Sequence, residues 1–356
     1  MENKVRFALI GCGRVSYKHI NALKNIKTAQ LVSICDLVED RARKKADETG
    51  VPWYTNYREM LKNEIIDVVI ILTESGIHAK IAVDVAHNYQ KHIVVEKPMA
   101  LKLEDADAMI EACDQAGLKL FVVKQNRYNL PVKKLREALE TGRLGKLVLG
   151  TVRVRWCRDQ AYYDQDPWRG TWAMDGGVFT NQASHHIDLL QWMMGPVESV
   201  FARTATMLHN IETEDTGVAV IKFVNGALGV IEATTCARPQ DLEGSISILG
   251  ENGTVEIGGF AANQMKIWQF KNSFPEDEAV VEKYSTMPPN VYGFGHEEFL
   301  KKVVHSINQN RKALIDGIEG RKSLEIINAL YESTETGKEV FLRFKPKRSK
   351  LGQCEE

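Results

Sequence analysis

The 356-residue sequence contains no long apolar run: the longest, Ile65 to Leu72, is interrupted by Asp67 and falls far short of a bilayer span. It also lacks charge of one sign. Its 46 Lys and Arg against 47 Asp and Glu leave a formal net charge of −1, so no global field recruits nucleic acid or a membrane surface. Any charged ligand must therefore be held by local residues. No C-x-x-C pair joins Cys12, Cys35, Cys113, Cys157, Cys236 and Cys354, and their spacing suggests neither a zinc site nor a disulfide framework. The expectation is reduced thiols in the core of a cytoplasmic protein, with no metal. Arg6 and the glycines after it break the N-terminal apolar stretch before a signal-peptide core forms, so that stretch reads as a first strand.

What is present is an ordinary globular composition, 44% hydrophobic and 26% charged, in a chain longer than one core usually organises. Two textures divide it. Through residue 125, near-continuous apolar runs (VRFALIG, AQLVSIC, IIDVVIIL, KHIVVE, LKLFVV) alternate with helical spacing such as Leu103 to Ala116. Strands buried on both faces read this way, so residues 1–125 are expected to form a doubly wound α/β domain on a parallel sheet. From about residue 146 the strands alternate apolar and polar, as in KLVLGTVRVRW and VAVIKFV, with Asn-Gly turns at Asn225 and Asn252. Residues 126–345 are thus expected to form a second α/β domain with a large, mainly antiparallel sheet. Helical stretches at 182–194, 292–308 and 319–334 would cover one side of it, the last also packing back on the first domain, and the tail 346–356 would be mobile.

The first run is followed by Gly11-x-Gly13-x-x-Ser16, and the second ends in Asp36, 20 residues after Ser16. A dinucleotide fingerprint needs a first glycine for the tight turn, a second for backbone approach to pyrophosphate, a small third residue and a later acid for the ribose. Ser16 departs from glycine but is small. A carboxylate at the ribose hydroxyls repels a 2′-phosphate, so NAD is expected over NADP. Glu96-Lys97-Pro98 ends a further strand, beside the crevice where such sheets bind ligands, and proline sets the direction taken by Lys97.

These motifs, with the segment ending in His185 and Asp188 and the C-terminal GIEGRKSLEIINALYES, resemble the Gfo/Idh/MocA oxidoreductase family in order and across nearly the whole chain. The resemblance implies an NAD(P)-dependent dehydrogenase of sugars, inositols or related polyols. Its fold would be a Rossmann domain followed by an α/β domain whose open sheet builds oligomer contacts, here a dimer or tetramer. It implies a cofactor site of Gly11, Gly13, Arg14, Val15, Asp36, Thr73, His78, Glu96, Lys97 and Gln125.

The segment DGGVFTNQASHHID resembles a family pattern of the form G-G-G-x-x-x-D-x-G-x-H-x-x-D, with Asp175, Asn181 and Ala183 as departures. Neighbouring helix positions point about 100° apart, so His185 and His186 cannot share one pocket. The register selects His185. Alcohol oxidation needs a donor to the developing alkoxide and a proton acceptor, roles that suit Lys97 and His185 in either order. Asn181 carries no charge and is expected to contact substrate, while Asp188, at i+3, either orients the imidazole or is an ordinary helix carboxylate.

Residues 124–131 and 152–177 are the distinctive segments, the second gathering Arg153, Arg155, Arg158 and Arg169 with Trp156, Tyr162, Tyr163, Trp168 and Trp172. Guanidinium groups bind carboxylates and phosphates, and aromatic rings stack on sugars and bases. Both segments resemble the branch of the family that oxidises the C3 hydroxyl of UDP-N-acetylglucosaminuronic acid for bacterial surface polysaccharides. That implies a UDP-sugar substrate, a 3-keto product passed to an aminotransferase, and NADH reoxidised in place by 2-oxoglutarate. Lys97, Arg155, Arg158, Tyr163, Trp172, Asn181 and His185 are the expected substrate residues. The alternatives are a myo-inositol or simple sugar dehydrogenase, an NAD-dependent glycosidase, and a non-catalytic NAD(H)-binding regulator.

Overall fold

The computed structural model describes residues 4–285, 295–311 and 315–342. The first sheet holds β1 (Val5–Ile10), β2 (Ala29–Cys35), β3 (Trp53–Tyr54), β4 (Val68–Ile71), β5 (His92–Val95) and β6 (Leu120–Val122) in the order β3-β2-β1-β4-β5-β6, with every pairing parallel. Its crossovers are α1 (Ser16–Asn25), α2 (Glu39–Thr49), α3 (Tyr57–Asn63), α4 (His78–Asp84) and α5 (Leu103–Gln115). Strand order reverses between β1 and β4, which opens a crevice beyond their carboxyl ends. Val68 to Ile71 and Ile93 to Val95 are fully buried, as a sheet covered on both faces requires.

The second domain begins with α6 (Leu130–Glu140), β7 (Leu147–Arg155), α7 (Gln160–Asp164) and α8 (Ser184–Met194). Next come β8 (Val197–Ala205), β9 (Thr216–Phe223), β10 (Leu228–Thr234), β11 (Glu243–Gly250), β12 (Gly253–Gly258) and β13 (Gln264–Phe270). The last described elements are α9 (Val280–Lys283), α10 (Gly295–Asn308), α11 (Gly317–Thr336) and β14 (Val340–Phe341). Its eight-stranded sheet runs β13-β12-β11-β7-β10-β9-β8-β14 and is antiparallel except for the β7–β10 pair. One face is covered: Val152 and Val154 of β7 are buried in a core shared with Ile187 and Leu190 of α8 and Leu330 of α11. The other face is open, with Val218, Val220 and Leu228 exposed.

Two features differ from the expectation. The helix around 292–308 does not cover the second sheet: Phe299, Leu300, Val303 and Val304 of α10 bury into the first domain with Phe7, Ile20 and Leu23. Helix α6, which is not among the expected helices, supplies Val132, Leu135 and Ala138 to the second core instead. A Cβ at Gly150 of β7 would lie 2.7 Å from Met194 and 2.8 Å from Leu190, so glycine there lets α8, the carrier of His185, seat on the sheet. The tail expected to be mobile lies outside the described residues.

Candidate active site

A cleft of about 1000 Å³ runs from the β1–α1 turn to the loop before α8. Gly11 has φ +103°, and a Cβ on it would stand 2.7 Å from the Leu72 backbone, so the turn demands glycine twice over. A Cβ on Gly13 would meet nothing within 4 Å: that position faces open cleft. No side chain caps α1, and Gly13, Arg14 and Val15 line the cleft at its N-terminus, where the helix dipole favours an anion. Asp36 accepts from the amides of Cys12 at 2.7 Å and Val38 at 2.8 Å. Each oxygen keeps a lone pair for a ribose hydroxyl. This turn, helix end and acid fit a dinucleotide.

Deeper in, the buried Glu96 accepts from His19 at 2.8 Å and from the Lys97 amide at 3.0 Å. Burial opposes its ionisation, yet His19 and His296 hold the carboxyl well below the usual range. His78 also lines the cleft, its ring nitrogens 2.9 Å from the carbonyl oxygens of Pro98 and Thr73. The half-buried Lys97 donates to the Asn181 carbonyl at 2.8 Å. Burial lowers the pKa of its ammonium, and Glu96 and Asp175 partly offset this.

His185, buried at the start of α8, is not part of the cleft lining; its Nε2 lies 2.9 Å from the Gln125 amide nitrogen. With that amide donating, the ring proton belongs on Nδ1. Burial, reinforced by Lys97 and Lys124, holds the imidazole well below its ordinary pKa, so it is neutral. Asp188 does not orient this ring. Its carboxylate is gripped by Arg127 at 2.7 and 2.8 Å with Lys124 at 3.4 Å, and despite burial these cations bring it down to about 2. His186 points elsewhere, edge-on to Trp156, and burial pushes its imidazole down to about 4.

Of the expected residues, Gly11, Gly13, Arg14, Val15, Asp36, Thr73, His78, Glu96, Lys97 and Asn181 all line the one cleft. Gln125 does not; it faces His185. Nor do four residues of the aromatic and arginine segment. Arg155 lies on the open sheet face, held by Glu232 at 2.6 and 2.7 Å and by Glu243. Arg158 pairs with Asp241 at 2.9 Å, Tyr163 is buried against Thr235, and Trp172 stacks edge-on against Tyr331 at the surface. The physical reason is local: strand alternation turns Arg155 to the open face, and the α7 turn brings the alternate residue, Tyr162, inward. Tyr162, Trp168 and Arg169 form the wall, with Arg169 stacked on both rings at 4.6 Å. Asp175, noted in the sequence only as a departure, also lines the cleft.

A doubly wound nucleotide-binding domain with lysine at the mouth of its switch point, joined to an open-faced sheet, defines a dinucleotide-dependent oxidoreductase. Residues 5–124 match the oxidoreductase family with NAD-binding Rossmann fold, and residues 132–256 match the GFO/IDH/MocA C-terminal domain. The structure of the WlbA dehydrogenase from Bordetella pertussis, in complex with NADH and UDP-GlcNAcA, is 43% identical, with a TM-score of 0.93 over 97% of this chain and 99% of that one. The Chromobacterium violaceum WlbA dehydrogenase, in complex with the same two molecules, is 41% identical, with a TM-score of 0.91 over 97% and 98%. Myo-inositol 2-dehydrogenase of Thermotoga maritima is 29% identical over 95% of this chain and 98% of its own. The chain belongs to the Gfo/Idh/MocA oxidoreductase family, as an NAD-dependent sugar dehydrogenase.

Proposed function

We propose that the protein oxidises the C3 hydroxyl of UDP-N-acetylglucosaminuronic acid to the ketone. The observation that carries this reading is the full-length likeness, above 40% identity, to two dehydrogenases whose structures hold NADH and UDP-GlcNAcA. The site supports it: the wall of Tyr162, Trp168 and Arg169 offers aromatic surface and a guanidinium to an anionic nucleotide sugar, which a neutral polyol does not need.

In this reading Gly11, Gly13, Arg14, Val15 and Asp36 hold the dinucleotide, whose nicotinamide supplies the hydride acceptor when bound. The substrate C–H and O–H bonds break as the C=O bond forms, and the chain's part is to take the hydroxyl proton. Lys97 lines the cleft, and burial depresses its pKa, so it is the base. In this reading His185, neutral and oriented by Gln125, receives the proton next, its Nε2 leaving the Gln125 amide to do so.

Steady-state kcat/KM with NAD tests the reading across UDP-N-acetylglucosaminuronic acid, UDP-N-acetylglucosamine and myo-inositol. The uronate should lead by a factor of about 100 or more, the scale of one lost charge-assisted contact. A higher value with myo-inositol would assign the enzyme to the polyol dehydrogenases instead.

A further inference from the structure

Asn181 carries no charge, yet a carboxylate lies one hydrogen bond away from it. Asp175 Oδ1 accepts from the Asn181 side-chain amide, and Asp175 Oδ2 accepts from the Gly170 amide at 2.9 Å. The Asn181 backbone carbonyl receives the Lys97 ammonium at 2.8 Å. All three residues line the cleft, while the Asp175 side chain is otherwise enclosed by its own loop, where Asp175 and Gly176 both donate to the Thr171 carbonyl.

The other charges around Lys97 are committed elsewhere. Glu96 is occupied by His19 and the Lys97 amide. Lys124 is tied to Ser323 and Asp188, and Arg169 to Asp166 and the Tyr162 hydroxyl. His185 is neutral. Two negative charges bear on the ammonium, Glu96 first and Asp175 second; Asp175 is the one joined to Asn181, and its own carboxyl is raised by burial and drawn back by Gly170, Asn181, Arg169 and Lys97.

We propose that Asp175 is a positioning residue for Lys97: it holds the Asn181 side chain, and with it the segment whose backbone carbonyl receives the ammonium, and it supplies the negative charge that residue 181 lacks. The pair Asp175–Asn181 then does jointly what one aspartate at 181 would do alone. This rests on Lys97 being the base of the proposed reaction. A carboxylate nearby favours the protonated amine, so removing it lowers the pH at which Lys97 gives up its proton.

The test compares wild type, Asp175→Asn and the double variant Asp175→Asn with Asn181→Asp, which moves the charge without changing side-chain size. Two readouts are taken on the full-length enzyme. The first is the kcat/KM–pH profile with NAD and UDP-N-acetylglucosaminuronic acid. The second, which needs no substrate, is the pH dependence of Lys97 trace acetylation by acetic anhydride, read by peptide mass spectrometry. Asp175→Asn should move the Lys97 titration down by about one pH unit in both readouts, and the double variant should bring it back. A titration unchanged in Asp175→Asn, or one the double variant fails to restore, overturns the proposal. If wild type does not turn over the UDP-sugar, the substrate assignment falls, and the acetylation readout alone decides on Asp175.

Discussion

The Gln125 amide nitrogen stands 2.9 Å from His185 Nε2, both side chains buried, so a residue just past the last strand of the Rossmann sheet holds an imidazole on a helix of the second domain. The contact fixes the ring's proton on Nδ1 and its plane across the domain junction.

Gln125→Leu removes that donor at similar volume. It should lower kcat about tenfold and leave the KM for NAD within about twofold, the pattern of a residue acting through His185. A raised KM for NAD with unchanged kcat would return Gln125 to the cofactor site, where the family resemblance puts it.

Lys97→Ala and His185→Ala should each lower turnover by roughly two to four orders of magnitude, the range of lost acid–base catalysis. NADH binding should survive in His185→Ala, whose position lies outside the cleft lining. Either variant turning over near the wild-type rate removes that residue from the mechanism.

Asp36→Ser deletes the carboxylate that two backbone amides hold at the cleft rim, where Arg41 also lies. NAD affinity should fall by about tenfold while NADP affinity holds or rises, because the repulsion of a 2′-phosphate is gone. Unchanged dissociation constants for both would show that Asp36 serves the turn alone.

Glu214 is buried beneath the loop that carries Asp175 and Asn181, one oxygen accepting from the Phe179 amide at 2.9 Å and the Tyr331 hydroxyl at 3.0 Å. Burial raises its carboxyl from the ordinary 4.5 to about 7, so folding takes up a proton. That contribution is complete below about pH 4.5 and is lost as pH rises through 7, a change on the order of 3 kcal/mol. Glu214→Gln should therefore raise the melting temperature at pH 8 and leave it nearly unaltered at pH 5. A variant equally destabilised at both would show that the carboxyl's charge does not matter to the fold.

Much of this architecture is legible in the chain because burial on both faces leaves a plain mark. Val68–Ile71 and His92–Val95 read as strands on composition alone. Trp53–Tyr54 is too short to carry a pattern, and in β8 the register shift between Val197 and Ser199 breaks the alternation. The parallel β7–β10 pair was beyond reach, since a period of two does not tell strand direction. For α6 the signal existed: Pro131 sits in its first turn, and Val132, Leu135 and Ala138 follow at helical spacing.

The site divides in the same way. The β1–α1 turn, Asp36 and Lys97 lie at strand ends, where the fold alone sets direction. Arg158, Tyr163 and Trp172, which the resemblance implied, lie in or beside irregular segments whose side-chain directions no sequence pattern sets, and the cleft is lined by Tyr162, Trp168 and Arg169 instead. Asp175 left no mark of its own, because its meaning depends on a loop that folds it back on Asn181.

The most direct test of the account is the near-ultraviolet absorbance of reduced nicotinamide when UDP-N-acetylglucosaminuronic acid is added to purified enzyme with NAD, followed by 2-oxoglutarate. The nucleotide sugar should raise the signal, with a 3-keto sugar formed in equal amount. Bleaching by 2-oxoglutarate would add the recycling half-reaction. No rise with the nucleotide sugar, alongside a rise with myo-inositol, would contradict it.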